Sequence, residues 1–143
     1  MRHLPQVKSV MTPFPYSIDL EASLDEAREM MDTHNIRHLP VTDHDHTLMG
    51  VLTDRDIRQF LGPANAGEQR RVRDVYIGHP YTVDLNEALD NVLMHMAENH
   101  IGSALVTRHG KLAGLFTVTD ACRHFALFLR ERFRPLGGGN EAA

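Results

Sequence analysis

Twice in this chain a threonine hydroxyl stands three residues ahead of a carboxylate where a helix is due to begin. Thr53 and Asp56 lead into the apolar Ile57, Phe60 and Leu61, and Thr117 and Asp120 repeat the relation further along. That spacing suits a variant capping box, in which hydroxyl and carboxylate satisfy backbone N–H groups that the first helical turn leaves unpaired. Histidine is the other chemical excess, with ten in 143 residues. His44-Asp45-His46 is a compact trio on a predicted turn, of the residue types that bind zinc. A closed tetrahedral site needs a further ligand, none is spaced for it, and exposed turn histidines are the expectation. His95 and His100 fall on or just after a helix, where surface positions are expected.

Catalytic patterns are missing. The chain has no G-x-S-x-G and no phosphate-binding glycine loop, and its one cysteine, Cys122, is expected to be a small packed residue. A single cysteine also excludes an internal disulfide. Fifteen Lys+Arg against nineteen Asp+Glu leave a net charge of −4, a poor profile for binding nucleic acid. Arg70, Arg71 and Arg73 form a brief basic cluster without interleaved aromatics, so a solvated edge is expected there rather than an RNA contact. Half-protonation of the histidines near pH 6.5 would add about five charges and bring the net to about +1, so the electrostatics should respond to mild acid. Apolar runs are only a few residues long, which excludes a membrane-spanning helix, and Met1-Arg2-His3-Leu4-Pro5 lacks the apolar core of a signal peptide. A cytoplasmic location is expected.

The elements that must position these groups come in two copies. Val7–Ile36 lies over Val72–Ile101 at an offset of 65 without a gap, and 10 of the 30 pairs are identical. About two would be expected by chance at ordinary composition. One residue is lost near Asp45, after which Gly50, Thr53 and Asp56 fall on Gly114, Thr117 and Asp120. The chain is therefore a tandem duplication, with residues 4–62 and 72–134 as its units, 63–71 as linker and 135–143 as a flexible tail. Each unit of about 60 residues is marginal for a core of its own, so the two should pack together as one module.

Within each unit the periodicity alternates. Leu24, Ala27, Met30 and Met31 mark a helix face, as do Leu89, Val92, Leu93 and Met96, with Ser23 and Asn86 as plausible caps. Strands are predicted over His38–Thr42 and Thr47–Leu52, and over Ser103–Thr107 and Lys111–Phe116, each pair joined by a polar turn. A second helix should follow, from about Asp54 to Leu61 and from about Val118 to Phe133. The expected class is α+β: two pseudo-symmetric units, each strand-helix-strand-strand-helix, packed sheet to sheet.

Gly50-Val51-Leu52-Thr53-Asp54-Arg55-Asp56 and Gly114-Leu115-Phe116-Thr117-Val118-Thr119-Asp120, in register within that order, resemble the signatures of a tandem cystathionine-β-synthase (CBS) domain pair, the Bateman module. The unit start Val7-Lys8-Ser9-Val10-Met11-Thr12-Pro13 and the strand Leu39-Pro40-Val41-Thr42 fit as well, and the resemblance covers roughly residues 4–133. It implies a regulatory site between the units for an adenosine-containing ligand: AMP, ADP, ATP, an S-adenosyl compound or a dinucleotide. Carried over, Asp56 and Asp120 would accept ribose hydroxyls, with Thr53 and Thr117 beside them. A carboxylate can accept both hydrogens of a vicinal diol but repels phosphate, which should instead meet the N-terminal turn of the following helix. The capping and ligand readings can coexist.

The residues around the two signatures should make the sites unequal, with the second suited to a nucleoside or left empty. Arg55, Arg37 and His38 could supply cations to phosphate at the first, whereas their counterparts Thr119, Gly102 and Ser103 are neutral. Ile18 and Val83 could pack against a purine or simply fill strand cores. Tyr16 and Tyr81 are expected to cover the unit boundary. Phe125 to Leu129 is apolar almost all round, which calls for burial on more than one side and points to a homodimer. The leading expectation is a non-catalytic sensor of an adenosine ligand that signals to a separate effector protein, with no covalent cofactor. A structural dimer with vestigial clefts is a second reading, and a metal-responsive protein using His44 and His46 a third.

Overall fold

The computed structural model describes residues 3–61 and 70–134. The expected linker lies outside these residues apart from Arg70 and Arg71, and the expected tail lies wholly outside them. A 3₁₀ turn at Val7–Ser9 precedes β1 (Thr12–Pro13), β2 (Ile18–Asp19), α1 (Leu24–His34), β3 (His38–Thr42), β4 (Leu48–Thr53) and α2 (Asp54–Phe60). A second 3₁₀ turn at Val72–Asp74 leads to β5 (Thr82–Asp84), α3 (Leu89–Asn99), β6 (Ser103–Arg108), β7 (Lys111–Thr117) and α4 (Val118–Arg132). The α+β class and the repeated order agree with the sequence reading.

Two sheets result, β2-β3-β4 and β1-β7-β6-β5. In each, the strand before the helix runs parallel to the one after it, and that one pairs antiparallel with its hairpin partner. Ser23 caps α1, its side chain accepting from the Glu26 N–H at 3.0 Å. Asn86 does not cap α3. The N-cap there is Ala88, because Asp84 engages the Asn86 N–H and Glu87 that of Ala88. Both helices end on a left-handed residue, Asn35 and His100, whose N–H turns back to the last carbonyls.

The repeats along the chain are not the packing units in space. Val7 and Lys8 donate to the carbonyls of Glu87 and Leu85 (2.9 and 3.1 Å), β1 pairs with Leu115 and Gly114 of β7, and Val7 is fully buried in the second core. In return Val72 and Arg73 donate to Ala22 and Leu20, Val72 is fully buried in the first core, and Ile77 exchanges backbone hydrogen bonds of 2.8 and 3.1 Å with Val51. Arg71 and Arg73 both pair with Glu21, so this part of the basic cluster fastens the exchange instead of standing as a bare edge. Each repeat thus lends its opening segment to the other's sheet.

Two glycines make that close approach possible. A Cβ on Gly50 would stand 2.1 Å from the Ile77 carbonyl oxygen, and one on Gly114 would stand 2.3 Å from the Met11 sulfur. Between the sheets, Val51, Leu105 and Leu115 form a third apolar cluster with Leu48 and Leu112 at its edge, joining the units into one module. α4 behaves differently from the other elements. None of its residues is buried, and Phe125, Leu127, Phe128 and Leu129 are at least 40% exposed. It is not folded back over its own core.

Candidate functional site

Strand register brings the predicted residues to one place. His38 lies opposite Thr53 across the β3–β4 ladder, and Ser103 lies opposite Thr117 across β6–β7. The residue before each strand, Arg37 or Gly102, accepts the first N–H of the following helix through its carbonyl, from Asp54 and Val118 respectively, at 3.0 Å. Both signature threonines are N-caps: Thr53 accepts from the Asp56 N–H at 3.1 Å, and Thr117 from the Asp120 N–H at 3.2 Å. Two first-turn N–H groups of each helix are therefore already engaged, and the backbone offers a phosphate less than the sequence led us to expect.

The two signature carboxylates differ. Asp120 completes its capping box, with one oxygen accepting from the Thr117 N–H (2.9 Å) and hydroxyl (3.0 Å) and the other facing the Arg123 guanidinium at 3.4 Å. Asp56 is half-buried, and among the described residues nothing donates to its carboxylate. Identical Thr-x-x-Asp spacing has given one closed carboxylate and one open one.

His38 joins the halves. Gly102 has no side chain, and a Cβ placed there would be 3.5 Å from the His38 Nε2, so the imidazole of the first unit reaches the second. Burial pushes its pKa below the ordinary histidine value, against the opposing pull of Asp56 and Asp120. The unfolded chain therefore takes up this proton first as pH falls. His38 contributes its full share of stability above about 6.5 and loses it as pH drops through its folded pKa. His38→Asn should show a smaller fall in urea midpoint between pH 7.5 and pH 5 than the wild-type chain. Equal falls would mean that burial of this imidazole does not control its titration.

The remaining residues sort by environment. Arg37 pairs with Asp54 at 3.3 Å, and Asp54 also pairs with Arg58, whose hydrogen bond holds its carboxyl below the usual range. Arg55 is exposed and has no ion-pair partner among the described residues; Thr119 is exposed as well. Ile18 and Val83, 4% and 7% exposed, belong to the two hydrophobic cores. Tyr16 stacks on His34 at 3.7 Å and Tyr81 on His95 at 4.1 Å, so each ring lies on a helix of its own repeat, and Tyr81 also packs against the core that takes in Val7 from the other repeat. Cys122 is exposed, not packed.

Two clefts lie away from the carboxylates. One, of about 440 Å³, includes Glu21, Asp25 and Arg71, and the other, of about 420 Å³, lies between Met49, His79 and Thr107. The histidine turn is organised by Asp43, whose carboxylate accepts the N–H groups of Asp45 and Thr47 at 2.9 Å. His44 lies 3.3 Å from the Asp45 carboxylate, and no cluster of three His, Cys, Asp or Glu suited to a metal occurs among the described residues. Nor is any described helix long and apolar enough to cross a membrane. Sequence reasoning named His38 as a cation for phosphate but missed its reach across the boundary. The signal lay in Gly102, a bare position where the other repeat carries Arg37.

A family model described as the CBS domain matches residues 7–62 and again 72–127. A CBS domain-containing protein of Dictyostelium discoideum is 28% identical over 125 residues, covering 80% of this chain and 86% of its own. An L-aspartate semialdehyde sulfurtransferase of Methanocaldococcus jannaschii is 28% identical over 120 residues, which cover 83% of this chain but only 23% of that enzyme. Among solved structures, a CBS domain pair in complex with 5′-methylthioadenosine and S-adenosyl-L-methionine superposes with a TM-score of 0.77 at 24% identity, covering 88% of this chain and 99% of its own. CBSX2 in complex with AMP superposes with a TM-score of 0.74 at 24% identity, covering 87% and 98%. Two exchanged repeats, two capped signatures and two matches that together span most of the sequence lead to one conclusion: this chain is a tandem pair of CBS domains and belongs to the CBS domain family.

Proposed function

We propose that the protein is a non-catalytic regulatory module that holds an adenosine-containing ligand between its two units and signals in trans to a separate effector protein in the cytoplasm. The open carboxylate of Asp56 carries this reading. It is half-buried beside the Thr53 cap, shares His38 with the other unit, and has no donor among the described residues. A vicinal diol supplies the two hydrogens that such a group accepts. Members of the family solved with S-adenosyl-L-methionine and with AMP support the ligand class. Since His38 and the cluster around Leu105 span both units, a ligand that fits one relative packing better than another would shift the balance between them.

Thermal unfolding against AMP, ADP, ATP, NAD and S-adenosylmethionine tests the proposal. A ligand at about 100 times its Kd stabilises by about 2.7 kcal/mol, a rise of several degrees for a chain of this size. One of these ligands should give that rise, and Asp56→Ala should abolish it. A flat panel at millimolar concentration would leave the second reading, a structural dimer, which the exposed apolar residues of α4 favour. We place the homodimer contact on that helix in either case, and light scattering on the same samples should give twice the mass of the chain.

A further inference from the structure

We infer that each chain takes one ribose-bearing ligand, not two, that it binds on the Asp56 side of the boundary between the units, and that it is an anion. This deepens the ligand reading above and rests on it. Pseudo-symmetry provides two signature positions, but only one of them presents a carboxylate that no donor among the described residues already engages. On the second, Thr117 and Arg123 engage both oxygens of Asp120. A diol arriving there would have to break the capping box of α4 and displace a charge-assisted contact before forming bonds of its own. On the first, Thr53 caps α2 through its hydroxyl alone, and the Asp56 carboxylate remains open.

Charge separates the two sides further. Asp56 is accompanied by Arg37, Arg55 and Arg58, set against Asp54, which Arg37 and Arg58 already neutralise. Arg55 is left without an ion-pair partner among the described residues, directly beside the ribose acceptor in sequence. The equivalent of Arg55 in the second repeat is Thr119, so the signature that ends at Asp120 carries no cation, and its ion-pair partner is Arg123, three residues further on. His38 faces both carboxylates, and a phosphate near it would add a negative group that favours the protonated ring. A nucleoside phosphate therefore suits the Asp56 side better than a neutral nucleoside does.

Titration calorimetry with AMP and with adenosine on the full chain tests this, with a melting scan to verify that each variant is folded. We expect one equivalent of AMP per chain. Asp56→Asn should weaken it about tenfold or more, and Asp120→Asn should lower the melting temperature yet keep AMP affinity within about threefold. Arg55→Thr, which copies the second repeat, should weaken AMP about tenfold and leave adenosine unchanged. Two equivalents per chain, or loss of AMP in Asp120→Asn but not in Asp56→Asn, would overturn single occupancy. Equal affinity for AMP and adenosine would overturn the requirement for charge. If neither compound binds while the chain is folded, this inference fails, and the adenosine reading fails with it only if ADP, ATP, NAD and S-adenosylmethionine leave the melting temperature unchanged as well.

Discussion

Gly50→Ala should destabilise the protein by about 3 kcal/mol, a fall in melting temperature on the order of 10 °C. The added methyl would stand 2.1 Å from the Ile77 carbonyl oxygen and 2.7 Å from the Tyr76 ring. The carbonyl belongs to backbone paired with Val51, so relief requires breaking the bridge by which the second repeat's opening segment joins the first sheet. Gly114→Ala is the matched control, because it occupies the equivalent place in the other repeat. There the obstacle is the Met11 side chain, whose flexible thioether can move aside, and about 1 kcal/mol is expected. Urea unfolding of both variants checks the pair. Equal losses would mean that backbone and side-chain obstacles are equally costly here, and that the bridge to Ile77 is not firmly held.

Leu105→Ala should remove about 3 kcal/mol and, more tellingly, loosen the cooperation between the two units. Leu105 is fully buried on β6, packed with Val51 of β4 and Leu115 of β7 where the sheets meet. Leu39→Ala makes the same deletion inside the first unit's own core and should cost a comparable amount. Calorimetry tells them apart. With Leu39→Ala the calorimetric and van't Hoff enthalpies should stay equal, whereas with Leu105→Ala their ratio should rise above one as the units begin to melt separately. A single cooperative transition in Leu105→Ala would show that the exchanged segments alone couple the units.

Much of this architecture is legible in the residues, because a duplication shows directly as identities at a fixed offset. Once Val7–Ile36 is laid over Val72–Ile101, helices, strands and both signatures fall into place, and Ser23 reads correctly as a cap. What escapes is whatever depends on which copy a residue serves. The core positions Val7 and Val72 look the same whether each packs at home or in the neighbouring unit, since both cores are alike in composition. Asn86 misleads because spacing alone cannot tell a cap from the Asx-like turn that Asp84 builds ahead of Ala88. The unequal carboxylates escape for a similar reason. Thr-x-x-Asp specifies that a box can close, while its closing at Asp120 depends on rotamers and on Arg123. His38 escapes because a contact across a pseudo-dyad leaves no periodic trace.

The exchange of opening segments bears on where such a chain comes from. A lone repeat would lack both the opening segment that borders its sheet and the valine that closes its core. Two separate copies of one ancestral repeat could supply each other with those parts by the same hydrogen bonds now seen at Val7 and Glu87 and at Val72 and Ala22. Joining such copies end to end by gene fusion leaves every one of those contacts in place. It also frees the halves to diverge, as Arg55 and Thr119 have done. The present chain thus has the geometry of an obligate two-chain assembly made permanent by a covalent link.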